Sequence, residues 1–595
     1  MSGGRTAGDP FTKEIVSSYL TSTVHEMVKT TARAAYSPTF SEGLDFSCAL
    51  FDVSGRMVTQ AAGLGVHLGA LRPVMRKIFE TYDDFAEGDV LLTNDPYTAT
   101  HQADIVVARP VYYTGRFVGF AVNIGHWNDI GGMAAGGCCG TSTHVVQDGL
   151  IIPVCKLYSA GVLQREIREF ILANVRYPKE AWGDLQSQIA ACRTAEARLR
   201  SLADRYGLEV VLDGFDYAID HARERFLAKM AAIPDGVYTA IDYIEDDGVT
   251  DREYPIRVAV TKRPGGFVVD FDGTAPQAPT PINSNYSCTS AAVYAGIIAI
   301  VDPLTPMNEG VFSLIDVRAP RGTIVNAQWP VSVFGDTFEM SKRASELMFR
   351  AFADAVPERV AAGGFSSGNN ISARCVRDDG TDDTMWYYFQ EGGQGARLRQ
   401  DGNSAVYHWH GTPTNQPIEI WEHRYPVLFK KYALVADSGG AGTHRGGLGT
   451  VREVECLWDH FVSGLADRQR IAPWGLAGGC DAKPNRWAVV WQGEERLLKD
   501  AYGLASNSKF YAVPVKKGAV LVLESGGGGG FGDPLKRDRA AVIADLREGY
   551  ISFESARRDY GLDSDDAGVS IVPDRSAPAD TRSGGSRPLG SGRRS

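Results

Sequence analysis

"THQADIVVARPVYYTGRFVGFAVNIGHWNDIGG", residues 100–132, carries a histidine with an aspartate three positions later at each of its two ends. Between them lie two runs of β-branched and aromatic residues, and Thr114-Gly115 is the natural turn joining them into an antiparallel hairpin. About that turn, paired positions sum to roughly 229 or 230, which sets Asp104 opposite Gly125 or His126, and His101 opposite Asn128 or Asp129. The hairpin therefore gathers two imidazoles and two carboxylates at its open end. A lone His beside an Asp is usually a surface hydrogen-bonded pair, but two such units folded onto each other point to a metal. Mixed His and Asp ligands suit zinc, manganese or ferrous iron. Two histidines disfavour an all-oxygen calcium site.

Working outward, residues 11–36 place Phe11, Ile15, Tyr19, Val24, Met27 and Val28 at helical spacing, ending at Ser37-Pro38. Residues 45–60 read as strand, turn and strand with Ser54-Gly55 at the bend, and a helical region follows from Gln164 to Tyr206. Beyond about residue 230 the texture changes to short alternating strands such as "YPIRVAVTKR" and "GFVVDFDGT", interrupted by one helix at "MSKRASELMFRAFADAV". The expected fold class is α+β and multi-domain. A metal-binding α+β domain at 11–230 precedes a β-rich domain with an inserted helix at 231–535 and a C-terminal helical arm at 536–571. Residues 1–10 and the Gly/Ser/Pro/Arg-rich 572–595 are expected to be disordered tails.

The 595 residues carry a net charge of −11 spread along the chain, so no clustered basic face marks a nucleic-acid partner. No apolar run is long enough for a membrane span, and the N-terminus lacks a basic-then-apolar signal pattern. Nine cysteines without a CxxC pair suit free thiols and a cytoplasmic location. "LESGGGGGFGDP" (523–534) and "SGGAGTHRGGLG" (438–449) lack the Lys-Ser/Thr ending of a phosphate loop and read as structural glycine loops. No Gly-x-Ser-x-Gly elbow supports a serine hydrolase. "YHWH" sets His408 and His410 on one face of a possible strand with no acidic neighbour in sequence.

"NDPYTATHQADI", "GHWNDIGG", "GDTFEMSKRASEL", "PIEIWEHRYPVL", "DSGGAGTHRGGLGTVR", "DRQRIAPWGLAGG" and "GGGGGFGDPLKRD" occur in an order that resembles the hydantoinase B family, over about residues 12–565. That family includes the B-type chains of N-methylhydantoinases, the matching half of 5-oxoprolinases and the metal-bearing large subunit of acetone carboxylase. The resemblance implies one divalent metal (Mn, Zn or Fe) held by His101, Asp104, His126 and an acid of "SEGLDFS". There Glu42 and Asp45 match the two carboxylates of the family's Glu-Arg-x-Asp-Phe-Ser motif. Glu42 is assigned as the ligand and Asp45 as a catalytic base, with the reverse left open; Gly43, in place of the usual arginine, would let the chain turn between them. Asp129 is expected to orient a ligand or water, and Trp127 to line the substrate pocket.

The resemblance further implies a partner subunit, of hydantoinase A type, that binds ATP-Mg and phosphorylates the carbonyl oxygen of a cyclic amide. The metal-bearing chain then directs water onto the activated carbon. A hetero-oligomer such as an α2β2 assembly is expected, acting on a small molecule, with neither nucleic acid nor membrane as partner. The length favours this hydrolase reading over a ketone carboxylase subunit or a non-catalytic structural subunit.

Overall fold

The computed structural model describes residues 9–61, 63, 65–411 and 414–562. The hairpin forms where the sequence predicts it. β4 (Asp104–Tyr113) and β5 (Arg116–His126) pair antiparallel with Asp104 opposite His126, and a bulge at Val111/Tyr112 shifts the register by one toward the turn. Thr114 and Gly115 both take positive φ, +47° and +80°, as a tight hairpin turn demands. β1 (Phe46–Asp52) and β2 (Met57–Ala61) add on one side. β3 (Val90–Thr93), β6 (Cys155–Ser159) and β7 (Val162–Leu163) add on the other, giving the order β2-β1-β5-β4-β3-β6-β7.

Helices cover both faces of this sheet, which explains why its central strands read as nearly continuous apolar runs. Cys48, Leu50, Ile105, Val107 and Ala121 face the helices Pro10–Ala34 and Pro178–Tyr206 through Leu20, Val24, Leu185 and Ile189. The alternate residues Phe51, Val106, Ala108, Phe120 and Val122 share a core with Leu71 and Met75 of the helix Gly65–Thr81. That core continues through Phe226, Val260, Ile297 and Met348. The expected boundary at residue 230 thus falls inside one continuous apolar cluster.

Tyr286–Val301 is apolar on every side and almost wholly buried, so its packing shows no amphipathic stripe for a sequence reading to find. It packs against Ser341–Phe352, so two long helices, rather than the one expected, interrupt the second half, with shorter ones besides. Three further sheets follow residue 235. One carries the strands Gly236–Ile244, Tyr254–Arg263, Gly266–Asp270 and Ile315–Arg318, and the other two lie between residues 370 and 524. Helices Arg539–Arg547 and Phe553–Tyr560 pack on Ala441. At the N-terminus Asp9 caps a helix that starts at Pro10; residues 1–8 and 563–595, which include most of both expected tails, lie outside the described residues. Among the described residues no helix is long and apolar enough to cross a membrane.

The five-glycine run is a packing device. A Cβ on Gly528 would lie 1.9 Å from the carbonyl oxygen of Gln394, and one on Gly446 would lie 1.7 Å from that of Gly528. Nearby, a buried charge network ties the regions together: Asp467 accepts from Arg343 Nη2 at 2.6 Å and Lys509 Nζ at 2.8 Å, and Asp242 accepts from Arg468 Nη2 at 2.8 Å. Burial works to raise the Asp467 carboxyl, but Lys509 and Arg343 outweigh it and hold the pKa below the usual range. Removing one member of such a network strands the others without water. Asp467→Leu is expected to lower stability in denaturant melts by about 3–5 kcal/mol. Asp216→Leu, which breaks an exposed pair with Arg56, is expected to cost about 1 kcal/mol or less.

Candidate metal centre

Three adjacent strands set the site. β1 pairs with β5 so that Phe46 faces Gly125, and the next step brings the Asp45 carbonyl to accept from the His126 amide at 3.0 Å. On the other side of β5, Asp104 stands opposite His126. Asp45, His126 and Asp104 therefore form one row across the end of the sheet. His101 reaches the same point from the turn before β4, where its carbonyl accepts from the Asp104 amide at 3.1 Å.

The Asp104 carboxylate is the hub. Its Oδ1 lies 3.2 Å from His126 Nδ1, and its Oδ2 lies 3.6 Å from His101 Nδ1 and 3.5 Å from His67 Nε2. Thr100 Oγ1 also donates to Oδ2, at 2.5 Å. Burial alone would raise the Asp104 pKa, but the surrounding imidazoles, His101 first, outweigh it and hold the group well below the usual range. Burial lowers His101 to about 3, which leaves the ring neutral and ready to ligate. Burial also raises Asp45, against the opposing pull of His126 and His67.

A metal fits this donor set. His101, Asp104 and His126 can present one ligand atom each with all three within 4.8 Å of one another. Both His101 nitrogens, His126 Nε2 and Asp45 Oδ1 are buried with no hydrogen-bond partner, a cost that proteins rarely leave unmet without a ligand or water. Aromatic rings wall the cluster. Phe334 stacks on His101 at 4.6 Å, Phe338 tilts over it at 4.9 Å, and Tyr387 stacks on His126 at 4.9 Å.

Of the two acids in "SEGLDFS", the fold brings Asp45 to the cluster and leaves Glu42 at a half-exposed helix end, where Ser41 Oγ donates to it at 3.3 Å. The turn expected at Gly43 is made by Leu44, at φ +53°. Asp129 does not join the cluster; its carboxylate accepts from the amides of Gly131, Gly136 and Arg176 and from Arg176 Nη1 at 2.9 Å. Trp127 likewise turns away from any pocket, buried in the core beneath the sheet, where its Nε1 donates to Gln188 at 3.0 Å. His408 gains an acidic neighbour that sequence distance concealed, with Nε2 3.3 Å from Glu346 Oε1.

His67 joins the cluster without having been expected from the sequence. Its signal is a lone polar side chain in "GVHLGAL", residues 65–71, where an apolar helix has no local use for an imidazole. It is braced from behind by Ser47 Oγ, 3.3 Å from Nδ1. His101→Ala, His126→Ala and Asp104→Ala are each expected to deplete bound divalent metal in elemental analysis. Asp45→Asn should weaken metal affinity by about 10–100-fold. Glu42→Gln and Asp129→Asn should retain full metal, the latter with a lowered melting temperature.

Comparison with known proteins places the chain among relatives that match it over nearly its whole length. The family model for hydantoinase B/oxoprolinase matches residues 9–534. The chain is 34% identical over 567 residues to the beta subunit of the caprolactamase of Pseudomonas jessenii, covering 93% of this chain and 96% of that one. The crystal structure of the ATP-dependent caprolactamase from that organism superimposes with a TM-score of 0.85, covering 94% of this chain and 98% of that one at 30% identity. The B subunit of a putative D-/L-hydantoinase from Pseudomonas sp. (strain NS671) is 30% identical over 93% of this chain and 95% of its own. The nucleotide-free structure of acetone carboxylase shares the fold, with a TM-score of 0.84 at 20% identity over 93% of this chain and 80% of that one. The chain belongs to the hydantoinase B/oxoprolinase family.

Proposed function

We propose that this chain is the metal-bearing subunit of an ATP-dependent cyclic-amide hydrolase and that it works with a separate ATP-hydrolysing subunit. The observation that carries the reading is the buried row Asp45–His126–Asp104 with His101, in which both His101 nitrogens, His126 Nε2 and Asp45 Oδ1 lack partners, on a fold matching caprolactamase over nearly the whole chain. Two relatives named as subunits, of a caprolactamase and of a hydantoinase, support a hetero-oligomer.

His101, Asp104 and His126 would hold a divalent ion of the zinc, manganese or iron class, with Asp45 completing the set or standing beside it. Such an ion supplies Lewis acidity and lowers the pKa of water. Asp104 enters as a full anion, because three imidazoles keep it ionised. Burial raises the Asp45 carboxyl above its ordinary value, which makes it a stronger base toward a proton of water. The partner places a phosphoryl group from ATP-Mg on the amide oxygen. Water oxygen then bonds to the activated carbon, the C–N bond breaks with the proton passing to nitrogen, and a second water releases the phosphoryl group as phosphate. Phe334, Phe338 and Tyr387 limit bulk water around these groups.

The isolated chain is expected neither to bind ATP in calorimetry nor to turn over substrate. The native complex, copurified with its partner, is expected to release the ring-opened acid from ε-caprolactam, hydantoin or 5-oxoproline only with ATP, as followed by mass spectrometry. Incorporation of labelled bicarbonate into a ketone, with no ring opening, would overturn the hydrolase reading in favour of a carboxylase.

A further inference from the structure

One buried cation beside the cluster has no carboxylate paired with it. Lys342 is fully buried, and its ammonium donates to the carbonyls of Phe338 at 2.8 Å and Thr337 at 3.4 Å and to Tyr407 Oη at 3.0 Å. Among the described residues no carboxylate lies within ion-pairing distance of it. Its neighbour Arg343 shows the usual alternative, a 2.6 Å pair with Asp467. A buried ammonium held only by neutral acceptors costs several kcal/mol of desolvation that a structural role would not require.

The position of Lys342 suggests its use. Phe338, one helical turn before it, lies against His101, and Glu339 and Asp45 act on the lysine electrostatically from beyond pairing distance. Further unsatisfied atoms belong to residues next to Phe338 and Tyr387. Thr337 Oγ1 and Asn370 Nδ2 are buried without partners, while Asn370 Oδ1 accepts from Tyr387, the residue stacked on His126. The residues that wall the histidine-and-carboxylate cluster, Phe338 and Tyr387, are thus bonded to or adjacent in sequence to a cation and two polar groups without partners.

We propose that Lys342, exchanging its long 3.4 Å bond to the Thr337 carbonyl and assisted by Asn370, binds a phosphoryl oxyanion presented to the metal cluster. The proposal rests on the hydrolase reading, in which the substrate arrives phosphorylated, and it makes Lys342 a substrate-contacting residue. Burial brings the ammonium down to about 8, so it still carries its charge at neutral pH. Tyr407, whose ring lies 4.6 Å from the ammonium, holds the side chain in place.

The test uses the full-length chain loaded with its divalent metal, without partner subunit or ATP, and titrates inorganic phosphate by calorimetry. Wild type is expected to bind phosphate. Lys342→Met should keep full metal content and bind phosphate at least about tenfold more weakly, the loss of one charge-assisted hydrogen bond. Lys342→Arg should recover most of the affinity, and acetate should show no dependence on Lys342. Equal phosphate affinity in wild type and Lys342→Met, no phosphate binding by wild type, or a Lys342 dependence for acetate alone would overturn the proposal. If Lys342→Met does not fold, wild-type crystals soaked in tungstate decide. The oxyanion must lie within hydrogen-bond distance of Lys342 Nζ, and tungstate bound only elsewhere refutes the assignment. Failure of the complex to open cyclic amides would count against the hydrolase reading alone and leave the phosphate result standing.

Discussion

Everything at the candidate metal centre depends on the register of three antiparallel strands. With Asp104 opposite His126 on one side and Asp45 preceding Phe46 opposite Gly125 on the other, two carboxylates flank one imidazole. A slip of one residue in either pairing would turn Asp45 or Asp104 to the other face of the sheet and into apolar packing. Both faces are covered by helices, so such a slip would also bury a carboxylate without partners. The hydrophobic core and the chemical site therefore enforce the same register.

The rest of the site comes from far along the chain. Phe334 and Phe338 belong to the segment leading into the helix Ser341–Phe352, Lys342 lies in its first turn, and Tyr387 and Tyr407 follow later still. These residues reach the sheet because a continuous core crosses residue 230 and because buried ion pairs lock the same helix to the C-terminal strands through Arg343 and Asp467. The charges at 343 and 467 neutralise each other, whereas the charge on Lys342 has no carboxylate within pairing distance among the described residues. That contrast separates charge used for assembly from charge held for chemistry.

Features that look functional in a sequence often serve assembly here. Asp129, in the second His-x-x-Asp, ties the loop through residues 131–136 to Arg176, and Trp127 fills the core. The glycine-rich loops let backbones meet at distances no Cβ would allow, as Gly446 and Gly528 do. An aspartate that accepts four hydrogen bonds, as Asp129 does, has no capacity left for a metal or a water.

The hairpin, its turn and its open-end pairing were legible in the sequence, and with them the meeting of Asp104 and His126; the same spacing also placed Asp129 there, and it was the family resemblance that pointed to His101, Asp104 and His126. Local periodicity and turn chemistry determine an antiparallel pair of neighbouring strands, and the pairing of Asp104 with His126 follows from that register. The helices at 10–34, 178–206 and 341–352 were legible for the same reason, being amphipathic or clearly bounded. Tyr286–Val301 was not, because a helix buried on all sides shows no stripe. Only the tertiary structure chose Asp45 over Glu42, since that choice depends on how β1, distant in sequence, docks on β5. Only it brought in His67 and Lys342, which share no local pattern with the hairpin. Short-range hydrogen bonding sets which residues pair along a hairpin, but which distant side chains meet there is decided by packing, and packing has no period in the sequence.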